Sequence, residues 1–418
     1  MLIHSASQLL TLQGGPQRGR NLGNLGIIQD GAVLVREGMI LAVGFTQDML
    51  AAYPDETRLD TSGCAVLPGF VDPHTHVVYA GDRREELRRR LAGATYAEIA
   101  AAGGGILSTV RATREASEDA LIESARVRLA EMLHCGTTTA EAKSGYGLET
   151  AAELKMLRVV RRLGQAQPID LAATFLGAHD IPAEYRDRRT DYVDLVIREM
   201  IPAVVADRLA EWCDVFCETG VYTPEESRAI LGAASKAGLR LRVHADELAA
   251  SGGSEVAVEV GARSADHLLF VQPETAGRMA RAGVVATLLP AAAFYLKLGR
   301  FAPARMLIER GVAVALATDI NPGGGFSPSM PFVMTLACFA MGMTLEEALV
   351  GATLNAAYAI GRDADVGSLE PGKLMDAVIV DGEAVDLIRV GAPAIAAVVK
   401  RGRVAVTART SIEPSPSA

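Results

Sequence analysis

Short apolar runs alternate with longer helical segments through the middle of this chain, and this alternation limits the folds open to it. The eight runs cover residues 66–74, 137–143, 171–179, 214–218, 241–246, 264–268, 284–290 and 314–319. Segments with helical periodicity, such as 120–134 and 224–237, separate them, and 344–360 follows the last. Eight strand–helix units predict an α/β fold, a (β/α)₈ TIM-type barrel. The alternative is a doubly wound sheet, which requires a Gly-rich phosphate turn after the first strand. The chain has Pro73-His74-Thr75-His76 at that place.

Both ends of the chain are rich in β-forming residues. Residues 32–44 alternate and break at Glu37-Gly38, which indicates a hairpin. Short runs at 377–380, 395–400 and 404–407 have the same character. Neither end can bury its apolar face alone, so we expect the two ends to pair into a small β-sandwich domain. The predicted boundaries are therefore 1–64 and 362–418 for this domain, with a frayed Ser/Pro-rich tail at 411–418, and 65–361 for the barrel.

Composition excludes several classes of partner. The 418 residues carry a net charge of −9 without a basic run, which argues against nucleic acid and anionic membranes. The longest apolar stretch, 330–343, is about 14 residues long, whereas a membrane span needs roughly 20. Five cysteines do not make a disulfide framework, and the first residues lack a signal peptide. These features predict a soluble, cytoplasmic protein.

Five of the seven histidines lie at the C-terminal ends of predicted strands, where barrel enzymes place their chemistry. They are His74, His76, His179, His244 and His267. His74 and His76 are two residues apart, so in an extended segment both rings point the same way. Taken alone, this pair is equally compatible with two structural histidines. Together with His244 and with Asp319 at the end of the last strand, it suits one divalent ion, zinc or iron, with a position left for water.

Two further residues are candidates for proton transfer beside such a water. Glu247 lies three residues after His244, and His267 ends the sixth predicted strand. Without a functional role, Glu247 would be a solvated loop carboxylate and His267 a buried structural histidine. Chemistry near neutral pH needs groups whose pKa can be tuned to that range, and both types qualify. Two-metal sites of this type use a carboxylated lysine on the fourth strand, and residues 214–218 contain no lysine, so one ion is favoured.

The motifs also support a family resemblance. PGFVDPHTH at 68–76 resembles the metal-dependent amidohydrolase superfamily, whose members combine a (β/α)₈ barrel with a β domain made from both chain ends. Within it, the chain is similar to the imidazolonepropionase family. The runs that carry this narrower likeness are EAKSGYGL at 141–148, HADEL at 244–248, SADHL at 264–268 and TDINPG at 318–323.

The resemblance implies a reaction and a set of roles. The reaction is hydrolysis of the cyclic amide of 4-imidazolone-5-propanoate to N-formimidoyl-L-glutamate by hydroxide from a metal-activated water, the third step of histidine degradation, in a homodimer acting on this small molecule. The implied metal ligands are His74, His76, His244 and Asp319. The residues implied for proton transfer are Glu247, His267 and Asp319. The implied substrate contacts are Arg83, Tyr146, His179, Glu247, Asn321, Gly323 and Gly324.

One position departs from the family pattern, and three questions stay open. Relatives usually carry Ser or Thr where this chain has Gly324, so a hydroxyl contact is lost and a backbone N–H would have to serve. Arg83 offers a bidentate fork for the propanoate, unless it is only a surface charge. Either His267 or Asp319 takes the water proton. Aminohydrolases such as guanine or cytosine deaminase relatives use the same ligands, and a non-catalytic assembly subunit would be expected to have lost them.

Overall fold

Both chain ends enter one mixed sheet in the computed structural model, which describes residues 1–94, 98–99 and 103–408. The N-terminal part supplies β1 (Leu2–Leu10), β2 (Ile27–Arg36), β3 (Met39–Phe45), β4 (Arg58–Asp60) and β5 (Cys64–Pro68), and the C-terminal part supplies β14 (Ala377–Asp381), β15 (Ile395–Lys400) and β16 (Arg403–Thr407). The strand order is β16-β15-β14-β5-β1-β2-β3, with β4 beside β1. The predicted pairing of the two ends is confirmed, because β5 pairs with β14. The predicted frayed tail, 411–418, lies outside the described residues.

The predicted barrel is also confirmed. Its eight parallel strands are β6 (Phe70–Asp72), β7 (Thr137–Lys143), β8 (Asp170–Ala178), β9 (Trp212–Cys217), β10 (Arg240–Ala245), β11 (Ser264–His267), β12 (Val285–Leu288) and β13 (Val314–Leu316). Each strand is hydrogen-bonded to the next along the chain. Just beyond β13, Asp319 N donates to His74 O at 3.1 Å and His76 N donates to Ile320 O at 2.9 Å. These two bonds join the last strand to the first.

Helices cover the outside of the barrel and part of the end sheet. They are α1 (Thr46–Ala52), α2 (Arg84–Leu91), α3 (Ile106–Glu115), α4 (Glu118–His134), α5 (Thr150–Ala166), α6 (Arg189–Leu195), α7 (Ile201–Ala206), α8 (Pro224–Lys236), α9 (Gly253–Glu259), α10 (Pro273–Ala282), α11 (Pro290–Tyr295), α12 (Ala304–Glu309), α13 (Met330–Met341), α14 (Leu345–Ala352) and α15 (Leu354–Ala359). A π-helical turn (Val196–Met200) joins α6 to α7, and 3₁₀ turns occupy Gly19–Asn21, Ala183–Tyr185 and Ala384–Ile388. No helix in the described part of the chain has the length and apolar character needed to cross a bilayer.

The first predicted run, 66–74, is divided between two sheets. Its beginning belongs to β5 of the end sheet and its middle is β6 of the barrel. Pro68 cannot donate a backbone hydrogen bond, and Gly69 follows it at the crossing point. A Cβ on Gly69 would lie 2.3 Å from Thr138 Oγ1, so only glycine allows the chain to pass this close to β7. An apolar run that belongs first to one sheet and then to another has the same periodicity as one longer strand, so the sequence pattern did not show this division.

Gly136 ends α4 and lies where the barrel meets the end sheet. It follows the C-cap Cys135 with a φ of +92°, in the left-handed region that favours glycine. A Cβ at this position would lie 2.8 Å from the Phe70 ring and 2.9 Å from a Val378 methyl group. One residue thus combines a required backbone conformation with close packing between the two sheets.

We expect Gly136→Ala to lower the free energy of unfolding by about 1–3 kcal/mol, because the methyl group overpacks the junction and the backbone is strained. Denaturant unfolding measures this difference. Gly164→Ala is the matched control: Gly164 lies within α5 with open space around its Cβ position, so alanine should stabilise the helix by up to about 1 kcal/mol. Equal stability of Gly136→Ala and the unsubstituted chain would contradict this account.

Candidate active site

Five histidine rings converge at the C-terminal end of the barrel. The ring centroid of His74 lies 4.4 Å from that of His244 and 5.4 Å from those of His76 and His267. His179 stacks on His76 at 5.0 Å. All five side chains are buried. The strand ends thus bring together histidines that are far apart in the sequence.

Four of the converging groups form a set of metal donors. His74, His76 and His244 each offer one ligand atom, and these atoms lie within 4.8 Å of one another. Asp319 Oδ1 lies 3.6 Å from Nε2 of both His74 and His76. His74 Nε2 is buried and has no hydrogen-bond partner among the described residues. A buried polar atom without a partner is costly, and a cation next to this lone pair satisfies it. Three imidazoles and a carboxylate therefore fit a divalent ion.

Two buried carboxylates lie against the donor histidines. Asp266 Oδ2 lies 2.7 Å from His74 Nδ1, and Asp214 Oδ2 lies 2.9 Å from His244 Nδ1. A carboxylate can only accept a hydrogen bond, so Nδ1 of His74 is the donor. This leaves the Nε2 lone pair of His74 for a metal, an arrangement common around histidine ligands.

These carboxylates belong to a buried ion network of Glu141, Lys143, Asp214, Arg242 and Asp266, whose side chains are all fully buried. Lys143 Nζ donates to Glu141 Oε1 at 2.6 Å and to Asp214 Oδ2 at 2.8 Å. Arg242 Nη2 donates to Asp266 Oδ2 at 2.9 Å. Burial alone would lower the pKa of Lys143, but Asp214 and Glu141 outweigh it and raise that pKa. Lys143 is therefore held as a cation.

The sequence analysis did not identify this network. A signal was available: short strands predicted to be buried contain the charged residues Glu141, Asp214 and Arg242. Charged side chains are almost never fully buried unless they are paired. Asp266 also directly precedes His267 in the SADHL run.

The two predicted proton-transfer residues lie next to each other. His267 Nδ1 lies 3.5 Å from Glu247 Oε1. Glu218 Oε2 accepts the backbone N–H of Glu247 at 3.0 Å and so holds the loop after β10. Burial, with Asp319 and Glu218 nearby, raises the pKa of Glu247 well above its usual value. Burial and His244 lower the pKa of His267 well below its usual value. The pair is therefore suited to an acid in its neutral form beside a neutral imidazole.

Backbone strain is concentrated at the same strand ends. His267 has a φ of +77°, Asp246 of +52° and Asp319 of +53°. Residues other than glycine adopt this left-handed region rarely and at a cost, and such residues cluster at active sites. Asp246 is held there by its carboxylate, which accepts the backbone N–H groups of Gly252 and Gly253 at 3.0 and 3.1 Å. The strain allows the chain to turn sharply at the rim of the barrel.

A cavity of about 130 Å³ opens beside the donor cluster. All the residues predicted to contact substrate line it: Arg83, Tyr146, His179, Glu247, Asn321, Gly323 and Gly324. Arg83 is only 7% exposed, so it is not a surface charge. His179 Nδ1 lies 3.0 Å from Gly145 O, and burial lowers the pKa of His179 to about 3. A neutral His179 thus presents its other nitrogen as a hydrogen-bond acceptor.

The predicted substrate contact at Gly324 stays a prediction, and the structure shows how the backbone of this loop is held. The backbone N–H groups of Gly323 and Gly324 both donate to Asn321 Oδ1, at 2.8 and 2.6 Å, and Asn321 Nδ2 donates to Asp319 O at 2.7 Å. The Gly324 N–H is therefore engaged within its own loop. Asn321 holds this loop in shape, and a side chain at Gly324 would lie 3.1 to 3.2 Å from Leu296.

Comparisons with known proteins identify the family. A model described as "Amidohydrolase family" matches residues 65–409, and one described as "Imidazolonepropionase-like composite domain, bacteria" matches residues 31–55. The imidazolonepropionase of Symbiobacterium thermophilum is 50% identical over 412 residues, covering 97% of each chain. The chain belongs to the imidazolonepropionase family. The imidazolonepropionase of Alkaliphilus metalliredigens is 46% identical and covers 97% of this chain and 98% of its own.

Solved structures show the same fold at lower identity. A mutant atrazine chlorohydrolase from Arthrobacter aurescens, complexed with zinc and atraton, superposes with a TM-score of 0.75 at 19% identity and covers 97% of this chain and 95% of its own. Guanine deaminase from E. coli has a TM-score of 0.73 at 16% identity, with 98% and 99% covered. The amidohydrolase family and the histidine cluster together indicate that this imidazolonepropionase family member uses a divalent metal ion.

We expect Asp266→Asn to weaken zinc binding by about 10- to 100-fold, the usual effect of losing a carboxylate that orients a ligating histidine. The amide no longer fixes the His74 ring, and it leaves Arg242 without its charged partner. Competition with a chelator of known affinity measures the dissociation constant. Asp194→Asn is the control, because Asp194 lies on the surface, where it pairs with Arg198 at 3.3 Å. Zinc affinity equal to that of the control would exclude this role for Asp266.

Proposed function

We propose that this chain hydrolyses the cyclic amide of 4-imidazolone-5-propanoate to N-formimidoyl-L-glutamate, a step in the degradation of histidine to glutamate. The observation that carries the proposal is one buried cavity lined by both a cluster of metal donors and the guanidinium of Arg83. The relatives at about 50% identity bear the name of this activity. The substrate is a small molecule with an amide ring at one end and a carboxylate at the other, and the two parts of the cavity match them.

His74, His76, His244 and Asp319 would hold the metal ion. When bound, a divalent ion of this kind would lower the pKa of a water molecule to about 7 and polarise a carbonyl group. Imidazole and carboxylate donors suit either zinc or ferrous iron. The Asp266 carboxylate keeps the His74 ring in place for this task, and the Asp214 carboxylate lies next to His244 Nδ1.

Glu247 and His267 divide the proton transfers. Water adds to the ring carbonyl carbon, the bond between that carbon and the ring nitrogen breaks, and the nitrogen gains a proton. The raised pKa of Glu247 favours its protonated form, which donates to the leaving nitrogen. The water proton goes to neutral His267 or to Asp319, whose pKa burial raises to about 7. Each proton thus has a donor and an acceptor within the site.

Arg83 binds the propanoate arm, Tyr146 contacts the arm or the ring, and neutral His179 accepts a hydrogen bond from a ring N–H group. A guanidinium offers a carboxylate two parallel hydrogen bonds, and the Tyr146 and His179 rings lie 5.2 Å apart on the same cavity wall. A nucleobase has no carboxylate, so Arg83 has no role in the alternative aminohydrolase reaction. We also expect a homodimer located in the cytoplasm, as the family resemblance implies.

We expect purified protein to consume 4-imidazolone-5-propanoate, followed by ultraviolet absorbance, and to contain about one metal ion per chain. Treatment with a strong chelator should remove both the ion and the activity, since the bound water is activated only by the metal. His244→Ala should have the same effect because it removes one ligand. Guanine and cytosine serve as comparison substrates. Ammonia release from either one without turnover of the imidazolone would overturn the proposal in favour of an aminohydrolase.

We expect Glu247→Gln and His267→Ala each to reduce kcat by about 10² or more, the scale of losing a positioned proton-transfer group. Glutamine keeps the shape of Glu247 but cannot carry the proton. Metal content should remain near that of the unsubstituted chain, because neither residue belongs to the donor set. Measuring kcat and bound metal on the same samples tests both points. Loss of the ion in His267→Ala would instead make His267 a ligand, and normal turnover of Glu247→Gln would restrict that carboxylate to orienting the ring.

A further inference from the structure

Helix α2 presents a buried, charged face to the cavity wall. Arg83 at its N-cap, Glu86 and Arg90 are spaced i, i+3 and i+7, so they lie on one side of the helix. Their exposures are 7%, 8% and 5%. Glu85 and Arg88, on the opposite side, are exposed and pair with each other. Burying three charged side chains is costly without partners, so the partners of these three side chains indicate the function of this face.

Glu86 fixes the orientation of Arg83. Glu86 Oε2 accepts from Arg83 Nε at 2.9 Å and from Nη2 at 2.7 Å. Nη1 has no hydrogen-bond partner among the described residues. The guanidinium lies flat against the backbone of Gly323, where a Cβ would come within 2.4 Å of Nη1. One edge of the guanidinium is therefore held, and the other edge, formed by Nη1 and the second N–H of Nη2, remains for a ligand.

The other oxygen of Glu86 ties down a second wall of the cavity. Glu86 Oε1 accepts the backbone N–H of Gly105 at 2.8 Å. Gly105 is the N-cap of α3, and the next residue, Ile106, lines the cavity. One carboxylate thus sets the position of Arg83 relative to the start of α3.

Arg90 anchors two more wall segments to the same helix face. Its Nη1 donates to Tyr295 O at 2.8 Å, next to the cavity residue Leu296, and its Nη2 donates to Gly323 O. The buried face of α2 thus joins the start of α3, the end of α11 and the loop after β13. These bonds fix the positions of the three wall segments relative to Arg83.

We propose that Glu86 is a positioning residue that gives the site its preference for an anionic arm, by holding the Arg83 guanidinium with Nη1 towards the ligand. This inference rests on the proposed function, because it assigns the anionic arm to the propanoate of that substrate. Glutamine at this position keeps one acceptor atom but turns a donor towards either Arg83 or Gly105. Glu86→Gln therefore releases one of the two connections without changing the size of the side chain.

The test compares charged and uncharged arms in Glu86→Gln. We expect the KM for 4-imidazolone-5-propanoate to rise about 10-fold or more, the scale of one charge-assisted hydrogen bond, while kcat changes by less than about 3-fold. Binding of imidazole-4-propanoate, measured by calorimetry, should weaken by a similar factor. Binding of imidazole-4-propanamide, which has the same length without the charge, should not change. Arg83→Ala marks the full loss of the contact.

Glu85→Gln is the matched control, since it makes the same change one residue earlier on the exposed side of α2 and should leave all these values unchanged. Glu86→Asp is a second variant, for use if Glu86→Gln folds poorly. Aspartate keeps the charge but is too short to reach both Arg83 and Gly105, so we expect it to weaken binding of the propanoate and not of the propanamide. An unchanged or lowered KM would overturn the proposal, and so would equal weakening of the propanoate and propanamide ligands. Absence of turnover in the unsubstituted chain would reject the proposed function, while the calorimetric comparison would still decide the role of Glu86.

Discussion

The buried ion network is the constraint on which the site depends. Lys143 and Arg242 lie among three carboxylates in the interior of the barrel, where a charge left without a partner would be strongly destabilising. Each cation joins groups from different strands: Lys143 on β7 reaches Asp214 on β9, and Arg242 on β10 reaches Asp266 on β11. Ion pairs of this kind add little net stability compared with apolar packing. Their effect here is geometric, because Asp266 orients the His74 ring and Asp214 lies against the His244 ring.

The network also reaches the segment between the first two histidines. Glu141 Oε2 accepts the backbone N–H of Thr75 at 3.2 Å, and the Thr75 hydroxyl donates to Glu141 O at 2.5 Å. Thr75 separates His74 from His76, so its two bonds to Glu141 fix the spacing of these two histidines. The donor atoms are thus held both by their own strands and by the buried ion network. A site prepared in this way needs little rearrangement when it binds an ion.

The sequence was sufficient to predict the barrel and the end sheet, because each depends on a local pattern. The predicted substrate contacts came from the family resemblance, and the apolar residues of the cavity wall, such as Ile106 and Leu296, were not predicted. Apolar runs alternating with helices indicate βα units, and polar residues at strand ends indicate the chemical face. The carboxylates Asp214 and Asp266 escaped prediction because their function depends on contacts across strands distant in sequence. Glu86 escaped for a related reason: on a helix rich in charge, only the packing shows which carboxylate is buried. The division of 66–74 between two sheets likewise needed three-dimensional information.

The two backbone bonds that join the first and last strands of the barrel have a consequence for folding. The donor set runs from position 74 to position 319 and draws on the first, fifth and eighth strands of the barrel. Contacts between residues so far apart carry a large loop-closure entropy and form late. The complete donor set therefore exists only after the barrel has closed. An ion bound there connects the first and last strands of the closed barrel. Metal binding then slows reopening of the barrel more than it speeds its assembly.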